Sequence, residues 1–168
     1  WAPDKTGDIQ KLERIQKSFL SKISGYRHLN YWELLKALNI NSLERRRDRY
    51  SIIYTWRMLE KQVPNIGIQE DITQRGRRFI VPPINNAADA WSQRLRESSL
   101  SVRGPSLFNV APRNVRDMKR CKTEQFKAAL DEWLNTIPDE PLLPGYTAMR
   151  RRESNSVRHM VHCAERGG

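Results

Sequence analysis

A chain of 168 residues, 38% of them hydrophobic, holds enough material for one ordinary domain or two small ones around a modest core. Thirty Lys and Arg against nineteen Asp and Glu leave +11, a surplus spread along the whole chain, which favours polyanionic partners and nucleic acid first among them. No apolar run reaches the length of a membrane span, no purely basic amphipathic helix stands out, and two cysteines, Cys121 and Cys163, are too few for a disulfide scaffold. Both read as free thiols of a reducing compartment, so the expected setting is intracellular, in nucleus or cytoplasm, with no membrane partner. The chain opens on Trp1 without a Met or a signal peptide and reads as a piece of something longer.

In chain order, residues 8–24 predict a first helix, capped by Asp8 or Thr6, with Ile9, Leu12, Ile15, Phe19 (or Leu20) and Ile23 on one face and Gly25 as its stop. Asn30 predicts the cap of a short second helix to about Leu38, with Tyr31, Leu34, Leu35 and Leu38 as its apolar stripe. Residues 41–63 predict the central helix. Asn41 would cap it, Glu44 would bond back, Ile52, Ile53, Trp56, Leu59 and Val63 would face the core, and Pro64 would end it. Residues 1–64 therefore form an expected three-helix unit, and residues 65–85 a linker or short hairpin around Arg77–Val81. Residues 86–97 predict a helix with Trp91 and Leu95 inward. Short helices are expected around Pro105–Val110 and from Pro112, since proline suits a first helical turn. Thr123–Leu134, capped by Thr123, closes a C-terminal helical region spanning 86–146. A proline-punctuated extended stretch follows, and residues 147–168 read as a basic tail. The expected fold is mostly α, a three-helix unit and then a looser helical region with little or no β.

Several basic clusters are candidate contacts for phosphates. Arg45, Arg46, Arg47 and Arg49 crowd one and a half turns of the central helix, with only Glu44 and Asp48 near enough to neutralise them. One or two of these four are expected to pair with neighbouring helices. Arg75, Arg77 and Arg78 lie beside Phe79, which either stacks on a base or belongs to the core. Lys119, Arg120 and Lys122 precede the late helix, and Arg150, Arg151 and Arg152 sit in the tail. His159, His162 and Cys163 share a helical face, but a structural zinc needs a fourth ligand and none lies nearby, so neither metal nor cofactor is expected. No nucleophile motif and no paired catalytic carboxylates appear, so no catalytic residue is expected.

One resemblance runs through these blocks. Trp1-Ala2-Pro3, Asp8-Ile9, Leu12 to Phe19, Leu29-Asn30-Tyr31 with Glu33, and Leu43 to Arg47 resemble the region after the polymerase palm in reverse transcriptases of non-LTR, jockey-type retrotransposons. Ser101 to Asn109, Ala111-Pro112, Phe126-Lys127 and Leu130-Asp131 through Tyr146 continue the likeness in the same order, so it covers most of residues 1–146. Asp48, Tyr50 and Ser51 depart from it, standing where the pattern has an apolar residue, a small one and an acid. The resemblance implies a thumb and adjoining C-terminal region of an RNA-directed DNA polymerase, gripping RNA or an RNA/DNA hybrid by its phosphates beside a palm that holds the catalytic carboxylates. Two readings compete with it. One is a host-adopted remnant acting as a structural or interaction subunit of a larger, RNA-containing assembly. The other is a helix-turn-helix built from residues 30–38 and 41–63, whose turn is short and whose recognition helix is long for that motif.

Overall fold

The computed structural model describes residues 3, 5–23, 25–73, 75–83, 89–145 and 154–166. The fold is mostly α: α1 (Thr6–Leu20), α2 (Tyr31–Ala37), α3 (Leu43–Leu59), α4 (Ala90–Ser98), α5 (Leu100–Val110), α6 (Arg113–Arg116), α7 (Thr123–Asn135) and α8 (Val157–Arg166). The chain gathers into two compact units. One comprises residues 1–47 with 138–168, the other residues 48–137. This differs from the expected three-helix unit of residues 1–64: α3 contributes its first turn to one unit and the rest to the other, and the C-terminal residues rejoin the N-terminal ones.

In the first unit, Leu20, Tyr31, Leu34, Leu35 and Leu143 form the apolar core, with Tyr26, Leu29, Leu38 and Ile40 packed against it. Asn30 caps α2 as expected: its side chain accepts the Glu33 N–H while the Glu33 carboxylate accepts the Asn30 N–H, satisfying two otherwise orphaned donors. α1 starts and stops earlier than its apolar spacing suggests. Leu20, not Phe19, is its buried residue at that turn, while Ile15 and Phe19 are 68% and 70% exposed. The stripe rotates because the buried position goes to a carboxylate. Glu13 accepts the Tyr31 hydroxyl at 2.7 Å on Oε2 and the Glu44 N–H at 3.0 Å on Oε1.

The cap of α3 is Ser42 rather than Asn41, since its Oγ accepts the Arg45 N–H at 3.1 Å. Asp139 holds that cap from the proline-punctuated stretch, accepting the Ser42 N–H and hydroxyl, both at 2.7 Å, and the Asn155 Nδ2 at 2.6 Å. The Trp32 indole N–H donates to the Pro141 carbonyl at 3.0 Å. The expected basic tail is corrected accordingly from residue 154 onward. Asn155 is buried, and so is Val157, the first residue of α8.

The second unit buries Ile52, Ile53 and Trp56 of α3, as the spacing predicts, with Phe108 of α5 and Phe126, Leu130 and Leu134 of α7. Trp56 stacks on Phe126 at 4.4 Å between centroids, and its indole N–H donates to the Met118 carbonyl. α5 begins five residues before Pro105 and carries that proline inside it, contrary to the expected start there. It packs tightly on α3: a Cβ built on Gly104 falls 2.3 Å from Thr55 Oγ1. Asp48, one of the departures from the retrotransposon pattern, is fully buried and paired with Arg103 of α5. In α4, Trp91 and Leu95 are 62% and 55% exposed instead of inward, because helical spacing makes a stripe without supplying a neighbour to cover it. One antiparallel bridge, Glu70 with Phe79, is the β structure among the described residues.

Candidate nucleic-acid interface

The four arginines at the start of α3 do not form an open cationic face. Arg45 is 1% exposed and donates to the Pro138 carbonyl at 2.6 Å. Arg46 is half-buried and donates from Nε to the Asn41 carbonyl, and Arg47 is also half-buried. Arg49 holds both carboxylate oxygens of Asp131, with Nη2 at 2.7 Å. That pair keeps the Arg49 proton held more tightly than in an ordinary guanidinium. Arg45 is thus corrected from phosphate reader to structural donor, and Arg49 to one arm of an ion pair. The sequence shows an excess of charge over nearby acids; Asp131 and Pro138 lie 82 and 93 residues away and give no local sign.

The second basic cluster is brought together with the third. Glu60, just beyond α3, accepts the Arg77 Nη2 on one oxygen and the Arg120 N–H on the other, each at 2.7 Å. Arg77 also donates from Nη1 to the Met118 carbonyl at 2.8 Å, while its own N–H goes to Asp117 at 2.7 Å. Three segments, residues 60–61, 75–79 and 111–120, are therefore bonded to one another. Arg77 is the buried pin of this junction, not a ligand contact, which corrects its assignment. The cations left facing solvent around it are Lys61, Arg75, Arg113, Lys119 and Arg120, with Arg78 half-buried. Two residues of the junction take left-handed backbone that non-glycine residues seldom adopt, Lys61 at φ 56 and Arg120 at φ 52. Both flank the Glu60 carboxylate, which holds the Arg120 loop in place.

Phe79 belongs to the core. Its ring meets Phe108 edge-on at 5.1 Å, and its backbone N–H and C=O are both bonded by the Asn109 side chain, so it does not offer a base-stacking face. Lys122 is exposed at the start of α7, and its backbone N–H is accepted by Gln125. Arg150, Arg151 and Arg152 lie outside the described residues. Arg113 and Arg116, absent from the sequence-based set, join the junction. Their spacing of three on the helix opened by Pro112 was the available signal.

His159 Nε2 lies 3.4 Å from Cys163 Sγ across one turn of α8, and among the described residues no three His, Cys, Asp or Glu side chains converge on a possible metal position. A cavity of about 580 Å³ at the end of α3 is lined mainly by Met58, Val63, Pro64, Ile68 and Phe79, and its lining includes no Ser, His or Cys. Among the described residues no helix is long and apolar enough to cross a membrane. Neither a family model, nor a curated protein, nor a solved structure matches the chain.

Proposed function

We propose that this chain is a non-catalytic nucleic-acid-binding segment of a non-LTR retrotransposon RNA-directed DNA polymerase, gripping RNA or an RNA/DNA hybrid through phosphates while bond-making belongs to the palm of the parent polypeptide. The observation that carries the reading is the bonded junction of residues 60–61, 75–79 and 111–120, which gathers Lys61, Arg75, Arg113, Lys119 and Arg120 at the surface while its acids, Glu60 and Asp117, are engaged in holding the loops. The net charge of +11 and the ordered retrotransposon-like blocks support the same reading. Contacts of this kind grip backbone and carry little sequence information.

The test is fluorescence anisotropy of the full chain on a labelled RNA/DNA hybrid across a salt series. The affinity should fall steeply with salt and depend little on sequence, and Lys119→Glu with Arg120→Glu should weaken it at least tenfold and flatten the slope, each lost phosphate contact removing about 0.9 from it. Binding indifferent to salt, or to that double reversal, would reject the reading. The exposed Ile15 and Phe19 on α1 favour a protein neighbour as well. In the polymerase reading that neighbour is the palm; in the host-adopted reading it is a subunit of an RNA-containing assembly. A palm encoded immediately upstream of Trp1 would favour the first, and its absence the second.

A further inference from the structure

Arg116 is a buried cation without a buried anion. It is 4% exposed, and its guanidinium donates from Nε to the Ala111 carbonyl at 2.6 Å and from Nη1 to the Arg77 carbonyl at 2.7 Å. Carbonyls satisfy the hydrogen bonds and leave the charge in place, and among the described residues no carboxylate forms an ion pair with it. Burial, and next the nearby charge of Arg78, lower its hold on its proton below that of an ordinary arginine; Asp117 opposes this and Arg113 adds to it.

Asp117 is in turn shared. Its Oδ1 accepts the Arg77 N–H at 2.7 Å, and its Oδ2 stands 4.0 Å from Arg113 Nε. The turn at Gly76, with φ 85, lies directly against this pair: a Cβ there would be 3.2 Å from Asp117 Oδ1 and 3.3 Å from Arg113 Nε. Arg113 and Arg116 thus draw on one carboxylate that already has another donor, and Arg78 directly follows the residue whose carbonyl holds Arg116, with Asp71 as its nearby acid.

We infer that Arg78 and Arg113, with Arg116 behind them, form a seat for a phosphodiester group of the bound strand, the anion supplying the countercharge that the fold leaves out. This rests on the nucleic-acid reading above and gives it a particular anchor. Arg113 is 63% exposed and brings a planar fork that matches two phosphate oxygens, which a lysine cannot copy. Arg116 contributes field from below without leaving its carbonyls.

The full chain carrying Arg78→Ala and Arg113→Ala is compared with wild type and with a control, Lys36→Ala with Arg96→Ala, whose cations are exposed elsewhere. On a labelled RNA/DNA hybrid at ~0.1 M salt the first pair should weaken binding about tenfold or more and reduce the salt slope by about 2, and the control should do much less. Arg113→Lys alone should recover only part of the loss. In thermal unfolding, wild type should be stabilised by the hybrid and, more weakly, by inorganic phosphate, and the double variant should lose both effects. If wild type binds the hybrid and the double variant binds equally well, the seat is refuted while the nucleic-acid reading stands. Stabilisation by inorganic phosphate with hybrid affinity untouched by the double variant also refutes it. If wild type binds no nucleic acid at all, the broader reading falls and the seat with it.

Discussion

The two units meet buried charge with different sets of groups. In the unit of residues 1–47 and 138–168 the acids Glu13 and Asp139 are met by neutral donors, a tyrosine hydroxyl, a serine cap, an asparagine amide and backbone N–H groups, and the buried Arg45 donates to the Pro138 carbonyl. In the unit of residues 48–137 the buried Arg77 and Arg116 donate to carbonyls, Arg77 also meets Glu60, and the buried Asp48 meets Arg103. A carboxylate ringed by neutral donors gathers loops and projects no positive field. A guanidinium bonded to carbonyls gathers loops equally well and keeps its charge. In the second unit one such arginine, Arg116, stands beside the exposed cations of the junction, which makes that unit the candidate interface although the densest arginine run in the sequence begins in the first.

The sharpest test of that comparison is to remove Glu60. Glu60→Ala takes from Arg77, 7% exposed, its nearest acid, leaving the more distant, exposed Glu70 at 3.7 Å from Nε, and releases the Arg120 N–H. Breaking a buried pair costs about 3–5 kcal/mol, and Glu70 should hold the loss near the lower end. Chemical denaturation should show the loss, and Glu60→Gln should recover part of it by retaining an acceptor. Asp139→Ala is the counterpart in the first unit. It strips acceptors from the Ser42 N–H, the Ser42 hydroxyl and Asn155 Nδ2, and one unsatisfied buried donor alone costs about 1–3 kcal/mol. A total near 2–3 kcal/mol is expected, and limited proteolysis should find residues 154–166 cleaved more readily, because Asn155 ties that segment to Asp139. Gly104→Ala tests the apolar side of the second unit, forcing a methyl group to within 2.3 Å of Thr55 Oγ1. Overpacking there should cost about 1–3 kcal/mol. The double variant with Thr55→Ala should regain most of that, if close approach of α5 to α3 is the cause.

What could be read from the residues follows the range of the forces involved. The α2 cap, the burial of Ile52, Ile53 and Trp56 on α3 and that of Phe126, Leu130 and Leu134 on α7 are set by neighbours three or four residues away and stand in the structure as the spacing predicts, whereas α3 ends at Leu59 rather than Val63, and Leu59, Val63 and Trp133 are half-buried. The mostly helical fold follows from them. What escaped was long-range. Nothing near Arg45 or Arg49 announces Pro138 or Asp131, and nothing near Glu13 announces that Tyr31 and the Glu44 N–H will converge on it. The same holds for the site. Local charge density ranked α3 first, whereas a chain's surface field depends on which cations the fold leaves without acids, and that is decided by pairings such as Glu60 with Arg77 and Arg120. Arg113 and Arg116 lie on the helix expected from Pro112, but two cations three residues apart make no dense run, and the carbonyls that hold Arg116 show only in the folded chain.

The smallest effect expected tests the first unit by pH. Burial, the first cause, raises the affinity of Glu13 for its proton above the ordinary carboxylate value of 4.5, although its bonds from the Tyr31 hydroxyl and the Glu44 N–H pull the other way. A carboxyl whose folded value is raised binds its proton more readily in the folded chain than in the unfolded one, so its contribution favours folding at low pH and is lost as pH climbs from about 4.5 through the raised folded value. Wild type should therefore shed a little stability over that interval relative to Glu13→Gln, whose side chain does not titrate. Gln carries a donor where Tyr31 already donates, so the variant should be less stable than wild type throughout, and the informative quantity is the slope of the difference with pH. If the difference between the two curves is flat from pH 4.5 to neutrality, Glu13 titrates alike in both states, and the idea that this unit holds a true buried charge at its centre fails. Tyr31 provides the internal control: burial raises its hydroxyl's affinity for its proton, so it remains a donor across the whole interval and cannot produce the slope itself.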